Sequence, residues 1–197
     1  MVMERIRVML VEDDPFWREH ISADLADEAD VAVAGVASTK EEAVEIAARV
    51  DLDVILMDIN LTGNNLDGLD AAEEILRQEK NNSVKVIMLT SITESEVIMK
   101  SFRLGAMNYI NKSSYQDILH AIREAHSGRA SIHPDAARAM RSEVQLMELS
   151  PTEREVFELR KSGLSKREIS ERLHKSTNTI KTQLRSIKNK LTNFKMD

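Results

Sequence analysis

Five short runs rich in Val, Ile, Leu and Met punctuate the first 127 residues, at 5–11, 31–36, 53–57, 84–89 and 108–110. Stretches with helical spacing lie between and after them, at 15–27, 39–50, 67–79, 93–104 and 115–126. The runs are almost continuously apolar and do not alternate with polar residues. Strands covered on both faces of a parallel sheet read this way, whereas half-solvated strands alternate. Five strand–helix units in succession predict one doubly wound α/β domain with right-handed crossovers. Two helix starts carry the capping-box pattern, Thr39 with Glu42 and Thr93 with Glu96, in which each side chain satisfies a backbone N–H of the first turn.

The pattern changes after Gly128, which closes the fifth helix. Residues 128–147 predict a linker, partly helical, with Pro134 placed to open a helix. Residues 148–197 carry three helix signals. Ser150 with Glu153 is a capping box with Pro151 at the first helical position, and that helix ends at Gly163. Ser165 with Glu168 opens a short second helix to about Leu173. A third helix spans about Thr177 to Leu191, with Ile180, Leu184, Ile187 and Leu191 forming one buried stripe. The expected architecture is a five-stranded parallel α/β domain over 1–127 followed by a small all-α domain.

Composition narrows the class. The chain has 197 residues, 42% hydrophobic and 30% charged, as in a soluble globular protein. It has no Cys, which excludes a disulfide framework and a cysteine zinc site and suits a reducing compartment. The longest apolar stretches fall far short of the roughly 20 residues that span a bilayer. The expectation is a cytoplasmic protein with no membrane partner. The net charge of −6 hides an asymmetry. Residues 149–197 hold 12 Lys and Arg against 6 Asp and Glu, while residues 1–148 hold 15 against 27. A basic domain on an acidic body suggests two kinds of partner, with nucleic acid the natural one for the basic part.

The candidate chemistry sits where the predicted strands stop. Glu12 and Asp13 follow the first run, Asp58 ends the third, Thr90 ends the fourth and Lys112 follows the fifth. Ligands of open parallel sheets bind in the crevice at the carboxyl ends of the strands. Three carboxylates, a hydroxyl and an ammonium are therefore expected to converge there. Clustered carboxylates need a cation, and Mg²⁺, hard and oxygen-seeking, suits them. Asp58 could act as a nucleophile toward phosphorus, with Lys112 and Thr90 stabilising the charge that develops. In the tail, Lys181, Arg185 and Lys188 recur beside the apolar stripe, and no acid occurs from Asn178 to Met196. A helix-turn-helix with such a face suits phosphate and base-edge contacts with double-stranded DNA.

In this order and spacing, LVEDD, MDIN, LTS and YINK resemble the receiver domain of two-component response regulators, whose flavodoxin-like sheet has strand order 2-1-3-4-5. The resemblance implies that Asp58 accepts a phosphoryl group from a histidine kinase. It implies that Glu12, Asp13, Asp58 and the backbone carbonyl of Asn60 bind Mg²⁺, and that Lys112 and Thr90 contact the phosphoryl group. Tyr109 matches the aromatic that swings inward when the threonine moves. The stretch from Leu149 to Leu191 resembles the LuxR-type helix-turn-helix, which makes the whole similar to regulators of the NarL/FixJ type. By that match Thr179, Lys181, Thr182 and Arg185 open the recognition helix toward the major groove, and Lys188 touches phosphate.

Several positions depart from the family pattern. Thr62 stands where a proline is usual, and Gly68 lies ten residues after Asp58, so a longer, looser loop is expected. Ser113 replaces the proline after Lys112, and a non-proline cis bond costs roughly 2.5–4 kcal/mol, so a trans bond is expected. Lys175 replaces an apolar residue before Ser176, which predicts a less tightly packed turn. The chain ends six residues past Leu191, leaving no room for the family's fourth, dimer-forming helix, so pairing is expected through the receiver face instead. Asp58-Ile-Asn-Leu-Thr62 also approaches the nucleophile motif of haloacid-dehalogenase-type phosphatases. Asn60 replaces the general acid there, which would remove a factor of about 10²–10⁴. A switch that is not an enzyme is the better reading. The alternative from another class is a phosphorylation-dependent regulator whose last three helices bind a protein.

Overall fold

The computed structural model describes residues 5–63, 66–78, 80, 83–92, 94–129 and 132–192. The chain divides into two compact units, 1–139 and 140–197, with the division falling inside one helix.

In the first unit, β1 (Ile6–Val11), β2 (Val31–Ala37), β3 (Val54–Asp58), β4 (Lys85–Thr90) and β5 (Asn108–Asn111) form one sheet in the order β2-β1-β3-β4-β5. Every pairing is parallel. Helices α1 (Pro15–Ala26), α2 (Lys40–Arg49), α3 (Asp67–Leu76), α4 (Ser95–Arg103) and α5 (Ile118–His126) connect the strands.

Successive strand residues point to opposite faces, and two apolar clusters result. Val8, Leu10, Val54, Leu56, Ile87 and Leu89 pack with Ile21 and Leu25 of α1 and with Ile118 and Ile122 of α5. Met9, Val11, Ile55, Met57, Val86 and Met88 pack with Ala43 and Ala47 of α2, Leu69 and Ile75 of α3 and Ile98 of α4. Both faces are covered, as the continuous apolar runs require. Burying one such aliphatic side chain is worth roughly 1.5–3 kcal/mol, so the two-sided core holds each strand end at one level.

Local chemistry explains where elements differ from the sequence expectation. Thr39 caps α2 by accepting the Glu42 N–H at 3.2 Å, but the Glu42 carboxylate reaches past it to the Ser38 N–H and hydroxyl. The other proposed box in this unit involves Thr93, outside the described residues. The fifth helix begins later than predicted. Lys112–Asp117 is a 3₁₀ segment, started by Asn111, whose side chain accepts the Ser113 N–H at 2.9 Å. Short polar side chains that bond nearby backbone compete with the α-helix, and α5 proper starts at Ile118.

The loop between β3 and α3 is tied down at both ends. Asp67 accepts the Leu61 N–H at 2.9 Å and the Thr62 hydroxyl at 2.5 Å. Gly68 donates its N–H to Ile59 at 2.9 Å. A Cβ on Gly68 would lie 1.8 Å from the Asp58 carbonyl oxygen, so only glycine lets α3 approach the strand end.

In the second unit, α7 (Pro151–Lys161), α8 (Lys166–Arg172) and α9 (Thr177–Thr192) pack around Leu149, Val156, Ile169, Ile180 and Ile187. Both capping boxes form in full, at Ser150 with Glu153 and at Ser165 with Glu168. Helix α6 (Pro134–Leu146) fills much of the expected linker and starts at Pro134. Its Ala136 and Ala139 belong to the core of the first unit and its Leu146 packs on that of the second. The turn between α8 and α9 places His174 at φ 51°, a left-handed conformation that side chains adopt at a cost. Lys175 does not leave this turn loose. Its N–H donates to the Ser170 carbonyl at 3.0 Å, and its own carbonyl accepts the Ser170 hydroxyl at 2.5 Å.

Glu153 does more than cap α7. Its carboxylate accepts the Ser150 N–H at 2.8 Å, the Ser186 hydroxyl at 2.6 Å and the Lys190 ammonium at 2.7 Å, pinning α9 to the start of α7. The Lys190 ammonium, followed by the Ser186 hydroxyl and the Ser150 N–H, holds the Glu153 carboxyl down at about 2. A carboxyl held below its unfolded value stabilises the fold above about pH 4.5 and loses that contribution as pH falls toward 2. Thermal melts followed by circular dichroism between pH 2 and 6 should therefore show the second unit weakening through this window. Glu153→Gln should lower its melting temperature at pH 6 and flatten the pH dependence.

Candidate functional site

The site lies at the carboxyl ends of β1, β3, β4 and β5. The two-sided core brings Glu12, Asp58 and Thr90 to one edge because each follows or ends a fully packed strand. Arg18, one turn into α1, donates from Nη1 to the carbonyls of Glu12 (3.0 Å) and Asp13 (2.9 Å). Asp14 caps the helix through the Phe16 N–H at 2.8 Å. These bonds fix the backbone that carries the first two acids.

Glu12, Asp58 and Lys112 are buried, while Asp13 is exposed. The Lys112 ammonium donates to Glu12 Oε1 and to Asp58 Oδ2, both at 2.8 Å, and lies 2.7 Å from Glu12 Oε2. Asp58 Oδ1 accepts the Asn60 N–H at 3.3 Å. Burial pushes the Glu12 carboxyl up to about 7, opposed by its bonds to Lys112 and reinforced by the nearby Asp58 charge. Burial also raises the Asp58 carboxyl, against the pull of Lys112. Burial would lower Lys112, but its bonds to the two carboxylates win and hold the ammonium protonated.

One ammonium cannot neutralise three carboxylates. Oxygens of Glu12, Asp13 and Asp58 lie within 4.8 Å of one another, a group that could hold a metal ion. Two buried oxygens beside it, Glu12 Oε2 and Asn60 Oδ1, accept no aligned hydrogen bond among the described residues. An all-oxygen donor set with excess negative charge fits a hard divalent cation.

Thr90 is buried at the end of β4, and its hydroxyl oxygen accepts the Ile92 N–H at 3.2 Å. Tyr109 is fully buried, and its hydroxyl donates to the Ile92 carbonyl. The Lys112–Ser113 bond is trans, since the described residues contain no cis peptide. Neither Arg18 nor Trp17 was flagged by the sequence, because neither lies in a strand-end motif. The Trp17 ring sits 5.9 Å from the Lys112 ammonium and packs edge-on against Tyr115. In the second unit Thr179, Lys181, Thr182, Arg185 and Lys188 are all exposed on α9, opposite buried Ile180 and Ile187. The Thr179 and Thr182 hydroxyls are already engaged, with Ser176 and with the Asn178 carbonyl.

Residues 8–123 match the family described as response regulator receiver domain, and residues 143–191 match sigma-70, region 4. The response regulator protein VraR of Staphylococcus saprophyticus is 31% identical over 192 residues, covering 94% of this chain and 90% of that protein. VraR of Staphylococcus aureus strain NCTC 8325 is likewise 31% identical over 192 residues, with the same coverage. The chain belongs to the response-regulator family. Proteins of this kind are regulators rather than enzymes.

Solved structures agree on the fold of this response regulator. It matches Salmonella typhimurium RcsB with a TM-score of 0.69 at 23% identity, over 96% of this chain and 93% of that one. A structure titled as an RcsB–DNA complex gives 0.73 at 23% identity, over 95% and 92%. A LuxR-family response regulator from Aurantimonas sp. SI85-9A1 gives 0.64 at 27% identity, over 71% and 98%. No helix among the described residues is long and apolar enough to cross a membrane.

With the Glu12 carboxyl raised to about 7, a cation held by Glu12, Asp13 and Asp58 would compete with protons below about pH 7. Trp17, the only tryptophan, reports on Lys112. Titration with Mg²⁺ followed by Trp17 fluorescence should give an affinity about tenfold tighter at pH 8 than at pH 6, as expected for one competing proton. Glu12→Gln should abolish that difference.

Proposed function

We propose that this response regulator is a DNA-binding transcriptional regulator switched by phosphorylation of Asp58. The observation that carries this reading is the Lys112 ammonium bridging Glu12 and Asp58 at the strand ends. Asp58 would take a phosphoryl group from a histidine kinase, its carboxylate oxygen bonding to phosphorus as the bond to the donor nitrogen breaks. Lys112 is placed to accompany the new phosphoryl oxygens, and Thr90 to turn its hydroxyl toward them. Glu12, Asp13, Asp58 and the Asn60 carbonyl would hold Mg²⁺. When bound, that ion would neutralise negative charge on the transferring group. Nothing in the crevice supplies a second carboxylate acid at position 60, where a phosphatase of the alternative class would need one, so the site suits holding a phosphoryl group.

On this reading residues 1–127 are the receiver, 128–147 the linker and 148–197 the DNA-binding domain. Lys181, Thr182 and Arg185, with Thr179 at the helix start, would enter the major groove, and Lys188 would contact phosphate. Neither Lys181 nor Arg185 has an ion pair among the described residues, which leaves both available to DNA. The likeness to RcsB, whose DNA complex shares this fold, supports the same partner. Receiver pairing would use the face carrying α4 and α5, and the protein would act in the cytoplasm.

Acetyl phosphate with Mg²⁺ should label the wild-type protein, and Asp58→Asn should remove the label. Retained labelling in Asp58→Asn sinks the phosphoacceptor assignment. In mobility-shift assays on the region upstream of its own gene, Lys181→Ala with Arg185→Ala should abolish specific binding and lower the salt-dependence slope by roughly 2. Unchanged binding would assign the contact surface elsewhere, and no binding by the wild type would favour a protein partner for the last three helices.

A further inference from the structure

A hydrogen-bonded chain leads from the crevice to the start of α6. The Ile92 N–H donates to the Thr90 hydroxyl oxygen, and the Ile92 carbonyl accepts the Tyr109 hydroxyl. The Tyr109 N–H donates to Asn108 Oδ1 at 2.8 Å. That same oxygen accepts the His133 N–H at 3.0 Å. His133 is the residue from which α6 starts, since its carbonyl accepts the N–H groups of Ala136 (2.9 Å) and Ala137 (3.0 Å). Its ring Nε2 lies 2.9 Å from Asp117 Oδ2, just before α5. Ala136 and Ala139 are buried in the same apolar cluster as Tyr109.

Asn108 is a polar side chain buried at the first position of β5. The other strand starts of this sheet, Ile6, Val31, Val54 and Lys85, carry no comparable amide. Two N–H donors converge on its oxygen, which settles how the amide is turned, because the flipped form would set NH₂ against both. An apolar residue there would serve the core as well but would leave the His133 N–H without this acceptor. The amide thus joins the strand that carries Tyr109 to the first residue of the helix leading out of the α/β unit.

We infer that Asn108 is a positioning residue that couples the Thr90–Tyr109 pair to the anchoring of α6. A shift of the β4–α4 loop toward a phosphoryl group draws on the Tyr109 hydroxyl through Ile92. A response of Tyr109 that reaches its backbone displaces its N–H relative to the oxygen that also holds His133. The anchored and released starts of α6 are the two arrangements whose balance the crevice biases. This rests on Asp58 being the phosphoacceptor.

The test uses the full chain with Mg²⁺ and beryllofluoride. Amide hydrogen exchange is measured over residues 132–139, and Trp17 fluorescence is recorded in the same samples. In the wild type, beryllofluoride should change exchange in this segment by about threefold or more, a local-opening readout. Asn108→Ala should lose that change while the Trp17 response to beryllofluoride stays at the wild-type concentration. His133→Pro, which removes the second donor together with the ring contact to Asp117 and leaves β5 intact, should lose it too and stands in if Asn108→Ala fails to fold. A Trp17 response with no exchange change in the wild type overturns the coupling, as does a wild-type exchange change in either variant. Absence of any beryllofluoride response in fluorescence and exchange overturns the phosphoacceptor reading and the coupling with it.

Discussion

The first unit turns on one buried ammonium shared by two buried carboxylates. Removing Lys112, Glu12 and Asp58 from water costs several kcal/mol for each ion before any attraction is counted. The arrangement survives because the ammonium meets both acids at hydrogen-bonding distance and because strands packed on both faces hold the three side chains at one level. Removing the ammonium would leave two buried acids facing each other. Keeping it still leaves a net negative charge, which reinforces the burial that drives the Glu12 carboxyl up to about 7. The site therefore carries uncompensated negative charge and is a group of acids that could hold a metal ion.

The rest of the α/β unit follows from the need to hold that triad in place. Period-two burial on the central strands, with α1 and α5 on one face and α2, α3 and α4 on the other, leaves the strand ends no freedom to slide. Arg18 fixes the carbonyls behind Glu12 and Asp13. The α9 face answers a different constraint. Ile180 and Ile187 hold it to a small core, and Glu153 clamps its far end through Ser186 and Lys190. With its inner face committed, the basic outer face stays exposed.

Much of this was legible in the sequence because it is written in local periodicity. Continuous apolar runs announced the parallel strands, and the polar residues at the ends of four of the five announced the crevice. Ser150 and Ser165 announced their helices by reciprocal capping with an acid three residues on. The missed features are long-range or depend on competition between equals. The Glu42 carboxylate had the N–H donors of both Ser38 and Thr39 within sequence reach and accepts from Ser38. The polar run after β5 read as helix, but Asn111 and two serines turned it into a 3₁₀ segment first. Lys175 read as a loss of packing, whereas the turn is held by backbone and by Ser170. The links from Arg18 to the β1–α1 loop and from Asn108 to His133 have no signature at all, since the second spans 25 positions of chain.

The described residues from Asp58 to Gly63 and from Leu66 to Gly68 are tied to one another. Gly68 abuts the Asp58 carbonyl and bonds Ile59, while Asp67 ties Leu61 and Thr62. Anyone building chimaeras between this receiver and another should treat positions 58–68 as a single inheritable block. A crossover inside it would join one parent's strand end to the other's helix start, and a mismatch of a single Cβ at position 68 would be felt at the Asp58 backbone itself. Crossovers that leave the block whole keep the strand end and the helix that leans on it matched.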